Sequence, residues 1–303
     1  MQKLLLVYNP VAGAGEFGGW LDECIEVLQD GGYLVSAYRT TGNIGDLFVQ
    51  NAAKDYDVVA VAGGDGTINR VVNAMAKNGI EVPIGIIAAG TANDLARHIG
   101  VADGFLEACK AITKGTVQPM DLGMINDDYF VNVCAGGLFS NVSHNTHQDL
   151  KNTLGRLAYY IKGMEQLQNP SPLKIRLQTS SEAIEDELML FLVLNSARLG
   201  GLGDVCPPAE IDDGLFDFVG FRNISLLDIP SLVIKILSRD YLGDKRILFR
   251  RDGYFRIELA ETPKNSEFIL TDVDGEPGPK MPITIRNLPK ALRIISPVQK
   301  GTT

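Results

Sequence analysis

Asp65 stands in the run Gly63-Gly64-Asp65-Gly66-Thr67, a carboxylate set among glycines and followed by a hydroxyl. Glycines lack a Cβ, so the backbone there can turn sharply and approach a ligand closely. In residues 57–62, just before, Val58 to Ala62 form an apolar run rich in β-branched side chains, which suits a strand buried on both faces. Residues 67–75 carry Ile68, Val71, Val72 and Met75 at helical spacing. A strand, a glycine turn and a helix start together aim backbone N–H groups at one point, where partial positive charge favours phosphate. A carboxylate repels an anion, so Asp65 suits a metal ion, a bound water or a nearby cation. From spacing alone, a tight βα turn with an incidental Asp fits equally well.

Other stretches carry the same ambiguity. Gly90-Thr91-Ala92-Asn93-Asp94 opens a helix, where Asp94 can serve a ribose, a metal or a donor, or where Asn and Asp simply cap. Glu210-Ile211-Asp212-Asp213-Gly214-Leu215 is an acidic turn. It is solvated charge, or else Glu210, Asp213 and a carbonyl two residues on hold one hard cation such as Mg²⁺ or Ca²⁺. Thr271-Asp272-Val273-Asp274-Gly275-Glu276-Pro277-Gly278 follows an apolar strand and reads as a hairpin turn. Transfer to an alcohol needs a carboxylate that can take the hydroxyl proton, and the two acids of this turn are the best candidates outside the first domain. His144 and His147 lack a third nitrogen or sulfur ligand nearby and read as surface histidines. Lys245, Arg246, Arg250 and Arg251 bracket an apolar triplet, as a solvated strand edge or a contact for anionic lipid.

Stepping outward, residues 4–8, 34–39, 57–63 and 84–88 read as strands, alternating with helices over 20–29, 44–54 and 67–75. That alternation predicts an α/β domain: a parallel sheet with helices on both faces. Ligands of such sheets bind at the carboxyl ends of the strands. The loops at 9–15, 63–67 and 90–94 all fall at such ends, and their convergence favours a phosphate site. Beyond about residue 122, strands at 129–134, 173–177, 187–194, 216–221, 255–259 and 283–286 predict an antiparallel β domain. Helices over 149–167 and 225–237 interrupt it.

The chain has 303 residues, which suggests two domains, and its hydrophobic share of 45% is ordinary for globular cores. A net charge of −9 argues against nucleic acid as a partner. Cys24, Cys109, Cys134 and Cys206 are far apart in sequence and read as reduced thiols of a cytoplasmic protein. The longest strongly apolar stretch, residues 188–194, is too short to span a bilayer, so any membrane contact is expected to be peripheral.

With these residues placed, the chain resembles the bacterial soluble diacylglycerol kinase family, related to sphingosine kinases and more distantly to NAD kinases. The resemblance covers nearly the whole chain. It rests on Asn9-Pro10 with Gly13, Gly63 to Thr67, Gly90 to Asp94, Glu210 with Asp213-Gly214, and Asp274 to Pro277. It implies a nucleotide-binding α/β domain over 1–121, rejoined by 290–303, and an antiparallel β-sandwich lipid-substrate domain over 122–289. It also implies ATP and Mg²⁺ in a cleft between domains. By position, Asn9, Gly63, Gly64, Asp65, Gly66, Thr67, Thr91, Asn93 and Asp94 surround the nucleotide. Asp274 is the general base, and Glu276 lies beside the metal-bound phosphates. Glu210, Asp213 and the Leu215 carbonyl hold a structural metal. Where family members often carry Lys in the first loop, this chain has Ala14, although Asp65 and Arg97 remain. The expected activity is phosphorylation of the hydroxyl of a lipid such as diacylglycerol, at the inner membrane face, by a homodimer. An NAD kinase-like enzyme and a nucleotide-binding protein without turnover are the alternatives.

Overall fold

The computed structural model describes residues 1–12, 15–40, 53–91, 93–101, 104–137, 172–195, 211–222, 235, 243–261 and 270–298. The expectations for Gly13, Ala14, Ala92, His144, His147, Cys206 and Glu210 lie outside them, as do those for the helices at 149–167 and 225–237 and most of the one at 44–54. The chain divides into two compact units, residues 1–120 with 290–303, and residues 121–289.

The first unit opens with β1 (Gln2–Tyr8), α1 (Leu21–Asp30) and β2 (Tyr33–Arg39). Then come β3 (Val58–Gly63), α2 (Asp65–Lys77) and β4 (Ile84–Ala88), followed by the short α3 (Asp94–His98) and α4 (Phe105–Lys114). β3 is buried at every position, as its unbroken apolar run requires of a strand covered on both faces. All the pairings are parallel, in the order β2-β1-β3-β4, and Ile294 from the C-terminal segment pairs with Ile84 beside β4. The connections reverse direction between β1 and β3. In an open α/β sheet, such a reversal leaves a crevice at the carboxyl ends of those two strands. Asn9 follows β1 and Gly64 follows β3, so two of the sequence loops flank this point.

β5 (Thr116–Ile125) leads into the second unit, which continues through β6 (Asp128–Phe130), β7 (Val133–Gly137), β8 (Leu173–Gln178), β9 (Ala183–Leu188) and β10 (Leu190–Leu194). β11 (Phe216–Phe221), β12 (Ile247–Asp252), β13 (Tyr254–Leu259), β14 (Leu270–Val273), β15 (Glu276–Lys280) and β16 (Ile283–Ser296) complete the order. One antiparallel sheet runs β12-β11-β10-β7-β14-β15. The start of β16 pairs with β13, then β8 and β9 follow in a second layer. Between the layers lies a core of Phe130, Phe191, Phe216, Phe218 and Phe255 with aliphatic side chains from both sheets. This is the expected sandwich. Its strands differ in detail: the run 129–134 breaks at Val131-Asn132, and the run 187–194 breaks between β9 and β10.

Candidate active site

In the first unit, side-chain size and hydrogen bonding explain how three loops are fixed. The Asn9 N–H donates to the Ala62 carbonyl at 2.9 Å, and its Nδ2 donates to the Thr67 hydroxyl at 3.1 Å. Asn9 Oδ1 in turn accepts the Val11 N–H at 3.1 Å. One residue, through its backbone N–H and its side-chain amide, therefore ties the end of β1 to the end of β3 and to the first turn of α2. Gly63 faces Thr67 so closely that a Cβ would lie 2.5 Å from the threonine Cβ. Gly64 precedes α2 with φ −89° and ψ −178°, and no side chain caps the helix. This is ordinary extended backbone, so Gly64 is not required for a positive φ. Its requirement is space: a Cβ at Gly64 would sit 3.1 Å from Gly90 Cα, and one at Gly90 only 2.4 Å from Gly64 Cα.

The Gly90 loop closes on itself through Asn93. Asn93 Oδ1 accepts the Gly90 N–H at 2.9 Å and its Nδ2 donates to the Gly90 carbonyl at 2.8 Å. Asn93 adopts the left-handed conformation, φ 50°, which asparagine tolerates through such local bonds. The sequence reading had Asn and Asp either capping α3 or serving a ligand. Asn93 is the N-cap residue but makes no side-chain cap bond, and it shapes the loop instead. Asp65, Thr67, Asn93 and Asp94 are all buried, while Thr91 is exposed. The structure thus gathers Asn9, Gly63, Gly64, Thr67, Gly90 and Asn93 into one set of contacts.

In the second unit, Asp274 and Gly275 form the two-residue turn between β14 and β15, with φ 52° and 92°. Paired positive φ values make the tight hairpin that Asp-Gly favours. Asp272 Oδ1 accepts the Gly275 N–H at 2.9 Å and steadies the turn. Asp274 is 2% exposed, and its carboxylate receives three successive backbone donors. Val131 N–H donates to Oδ2 at 2.7 Å, and the N–H groups of Asn132 and Val133 donate to Oδ1 at 2.9 Å each. The Asp274 N–H returns a bond to the Val133 carbonyl at 2.9 Å. The break between β6 and β7 is what points these donors one way, forming an anion-binding nest. Cys134 follows directly. Burial pushes its thiol pKa well up, and the carboxylates of Asp272 and Asp274 add to the effect.

Asn132, Asn195 and Asp121 were not singled out in the sequence. Asn195, 1% exposed, follows β10 and donates from Nδ2 to the carbonyls of Asp121 and Val131, both at 2.9 Å. Asp121, fully buried, accepts the Gly214 N–H at 2.6 Å and Asn287 Nδ2 at 3.2 Å on its Oδ2. An Asp inside the apolar run of β5 was the signal available for it.

The acidic turn rests on Asp121, whose N–H donates to the Ile211 carbonyl at 2.6 Å. Asp213 Oδ1 accepts the Leu215 N–H at 2.9 Å, and its Oδ2 accepts Arg251 at 2.5 Å. A guanidinium thus lies beside Asp213 at the turn expected to hold a metal, and Glu210, the other expected carboxylate, is outside the described residues. Among the described residues no group of three or more His, Cys, Asp and Glu is arranged to hold a metal. The basic cluster is paired in the same way. Arg246 binds Asp244 at 2.6 Å, Arg250 binds Glu182 at 2.5 Å, and Arg251 also reaches Asp217 at 3.4 Å. Arg246 first, and Lys235 after it, hold the Asp244 carboxyl far below the usual carboxylate range. Among the described residues no helix is long and apolar enough to cross a membrane.

Comparison with known proteins matches residues 3–125 to the diacylglycerol kinase catalytic domain and residues 132–296 to the YegS C-terminal NAD kinase beta sandwich-like domain. A diacylglycerol kinase of Bacillus subtilis is 30% identical over 99% of this chain and 98% of its own length. One of Staphylococcus carnosus is 30% identical over 98% of this chain and 95% of its own. A crystal structure from Bacillus anthracis, provisionally named a diacylglycerol kinase, superposes with a TM-score of 0.82 at 28% identity, covering 97% of this chain and 95% of that one. Similarity over both units and the full length, joined to the glycine loops and the Asp274 turn, makes this chain a member of the diacylglycerol kinase family.

Proposed function

We propose that this protein transfers the γ-phosphoryl group of ATP, with Mg²⁺, to the hydroxyl of a lipid such as diacylglycerol. The observation that carries this reading is the Asp274 carboxylate, held by three backbone N–H groups. An alcohol becomes a nucleophile only when its proton has an acceptor, and a general base must be oriented before the substrate arrives. In this reading the first unit binds the nucleotide through the backbone around Gly63, Gly64, Gly66, Thr67, Gly90 and Thr91. The uncapped start of α2 offers N–H groups and partial positive charge to phosphate there. Asp65 and Asp94 are the carboxylates of this unit suited to the metal. When bound, Mg²⁺ neutralises charge on the β- and γ-phosphates.

Contact with an anionic inner membrane face remains part of the proposal, as does a homodimer. The ion pairs of Arg246, Arg250 and Arg251 leave Lys245 as the residue of that cluster best suited to lipid phosphate. Incubation with γ-labelled ATP, Mg²⁺ and mixed lipid vesicles should place label in the lipid fraction. The same assay with NAD in place of lipid tests the enzyme alternative, since the second unit matches a domain named for NAD kinase. Label in NADP, or in no acceptor, would overturn the proposal.

A further inference from the structure

Both hydrogen bonds on Asp274 Oδ1 pass through peptide groups that Asn195 holds from the other side. The first peptide joins Val131 to Asn132. Its carbonyl accepts Asn195 Nδ2 at 2.9 Å, and its N–H donates to Asp274 Oδ1 at 2.9 Å. The second joins Asn132 to Val133. Its carbonyl accepts the Asn195 backbone N–H at 2.9 Å, and its N–H donates to the same Oδ1 at 2.9 Å. A peptide whose carbonyl is hydrogen-bonded is polarised and becomes a better donor at its N–H. The other proton of Asn195 Nδ2 anchors the arrangement to β5 through the Asp121 carbonyl at 2.9 Å. The amide cannot be reversed, because its oxygen would then face two carbonyl oxygens.

The geometry points to Asn195 as the positioning residue for the Asp274 carboxylate. It sets two adjacent peptide planes so that both N–H groups meet one oxygen, and it strengthens both donors. The inference rests on the proposed reaction for its kinetic consequence but not for its structural one. Asn195 touches neither the carboxylate nor, on this account, the substrate.

Two variants separate donation from packing. Asn195→Ala truncates the side chain, and Asn195→Asp keeps its volume while turning the donor into an acceptor that opposes both carbonyls. If packing were the role, Asp would be the milder change. If donation is the role, Asp is at least as damaging as Ala. Both should lower kcat by roughly 10–10²-fold, the scale of outer-sphere or positioning defects, with KM for ATP unchanged. Activity is referred to the folded fraction; if the Ala variant does not fold, the Asp variant carries the test. The spectroscopic readout uses protein labelled with ¹⁵N at Asn and Val. The amide proton of Asn132, whose peptide the side chain holds, should move upfield in both variants. Those of Val131 and of Val133, the latter still backed by the Asn195 backbone N–H, should move less. A variant with wild-type kcat, a milder effect of Asp than of Ala, or an unmoved Asn132 resonance would overturn the assignment. Should the wild-type protein phosphorylate no lipid, the functional reading falls, while the amide shifts still decide the role of Asn195.

Discussion

In the first unit Gly64 and Gly90 meet backbone against backbone, whereas in the second Asp274 is gripped by three N–H groups. The glycine loops are placed by leaving atoms out, so that two loops reach a separation no side chain permits. The carboxylate is placed by satisfying its oxygens, so that it has one orientation. On the proposed function, the contrast matches the chemistry each would serve. A phosphate is recognised by many backbone donors and needs room, while a base needs a fixed direction. The two arrangements should therefore fail differently: the first through steric intrusion, the second through a mismatch of donor and acceptor.

The largest effect is expected at Asp274. Replacement by Asn should reduce kcat by roughly 10²–10⁴-fold, the usual worth of a general base, with ATP binding little changed. Asn is not a silent isostere here, because one position now carries an NH₂ group facing a backbone N–H. If the amide oxygen takes the Oδ1 site, the NH₂ meets Val131 N–H. A stability loss of about 1–3 kcal/mol should accompany the kinetic one, visible in a denaturant midpoint. Near-normal turnover by the folded variant would remove Asp274 from the mechanism and erase the contrast.

At the glycine pair the expected effect is smaller and lopsided. A Cβ at Gly90 would meet Gly64 Cα at 2.4 Å, against 3.1 Å for one at Gly64 meeting Gly90. Gly90→Ala should cost about 1–3 kcal/mol and weaken nucleotide binding, as overpacking against unyielding backbone does. Gly64→Ala should cost less on both counts. Equal or reversed costs, measured by unfolding and by calorimetry with ATP, would show that space is not what these glycines provide.

Asp244 supplies the smallest effect and a useful third case, a carboxylate satisfied mainly by side chains. Arg246 and Lys235 depress its folded-state pKa, so its stabilisation is complete above about pH 4, the ordinary range of an unfolded Asp. It is lost as pH falls below that range toward the folded value. Asp244→Asn should cost about 1.5 kcal/mol at pH 7 and flatten the acid limb of the stability curve. A variant whose acid limb matches wild type would show that solvent screens the cluster.

The parts of this molecule legible in its sequence are those fixed by near neighbours. Gly63 to Thr67 read as a strand-to-helix turn because periodicity changes there, and Asp274-Gly275 read as a hairpin because that pair tolerates two positive φ values. The break at Val131-Asn132 was hidden, since Val131 continues a run of strand formers and its bend is stabilised by a residue far along the chain. Asn195 directly follows an apolar strand, where a polar residue carries no signal of its own. The pairing of the basic cluster was hidden for the same reason: Glu182 lies 68 positions before Arg250, and Asp213 lies 38 before Arg251. Sequence shows charges but not which distant partners will neutralise them.

The bonds from Val131, Asn132 and Val133 to Asp274 also set a clock. They join residues 141 to 143 positions apart. At translation rates of about 5–20 residues per second, the three N–H groups emerge roughly 7–30 s before the carboxylate that satisfies them. Buried donors without partners are costly, so the segment between β6 and β7 must stay hydrated and open through that interval. Asp274 is thus among the last groups of the second unit to find its place. A nascent chain halted before the β14–β15 hairpin has the glycine loops but no oriented carboxylate, and on the proposed function it cannot phosphorylate until that hairpin is made.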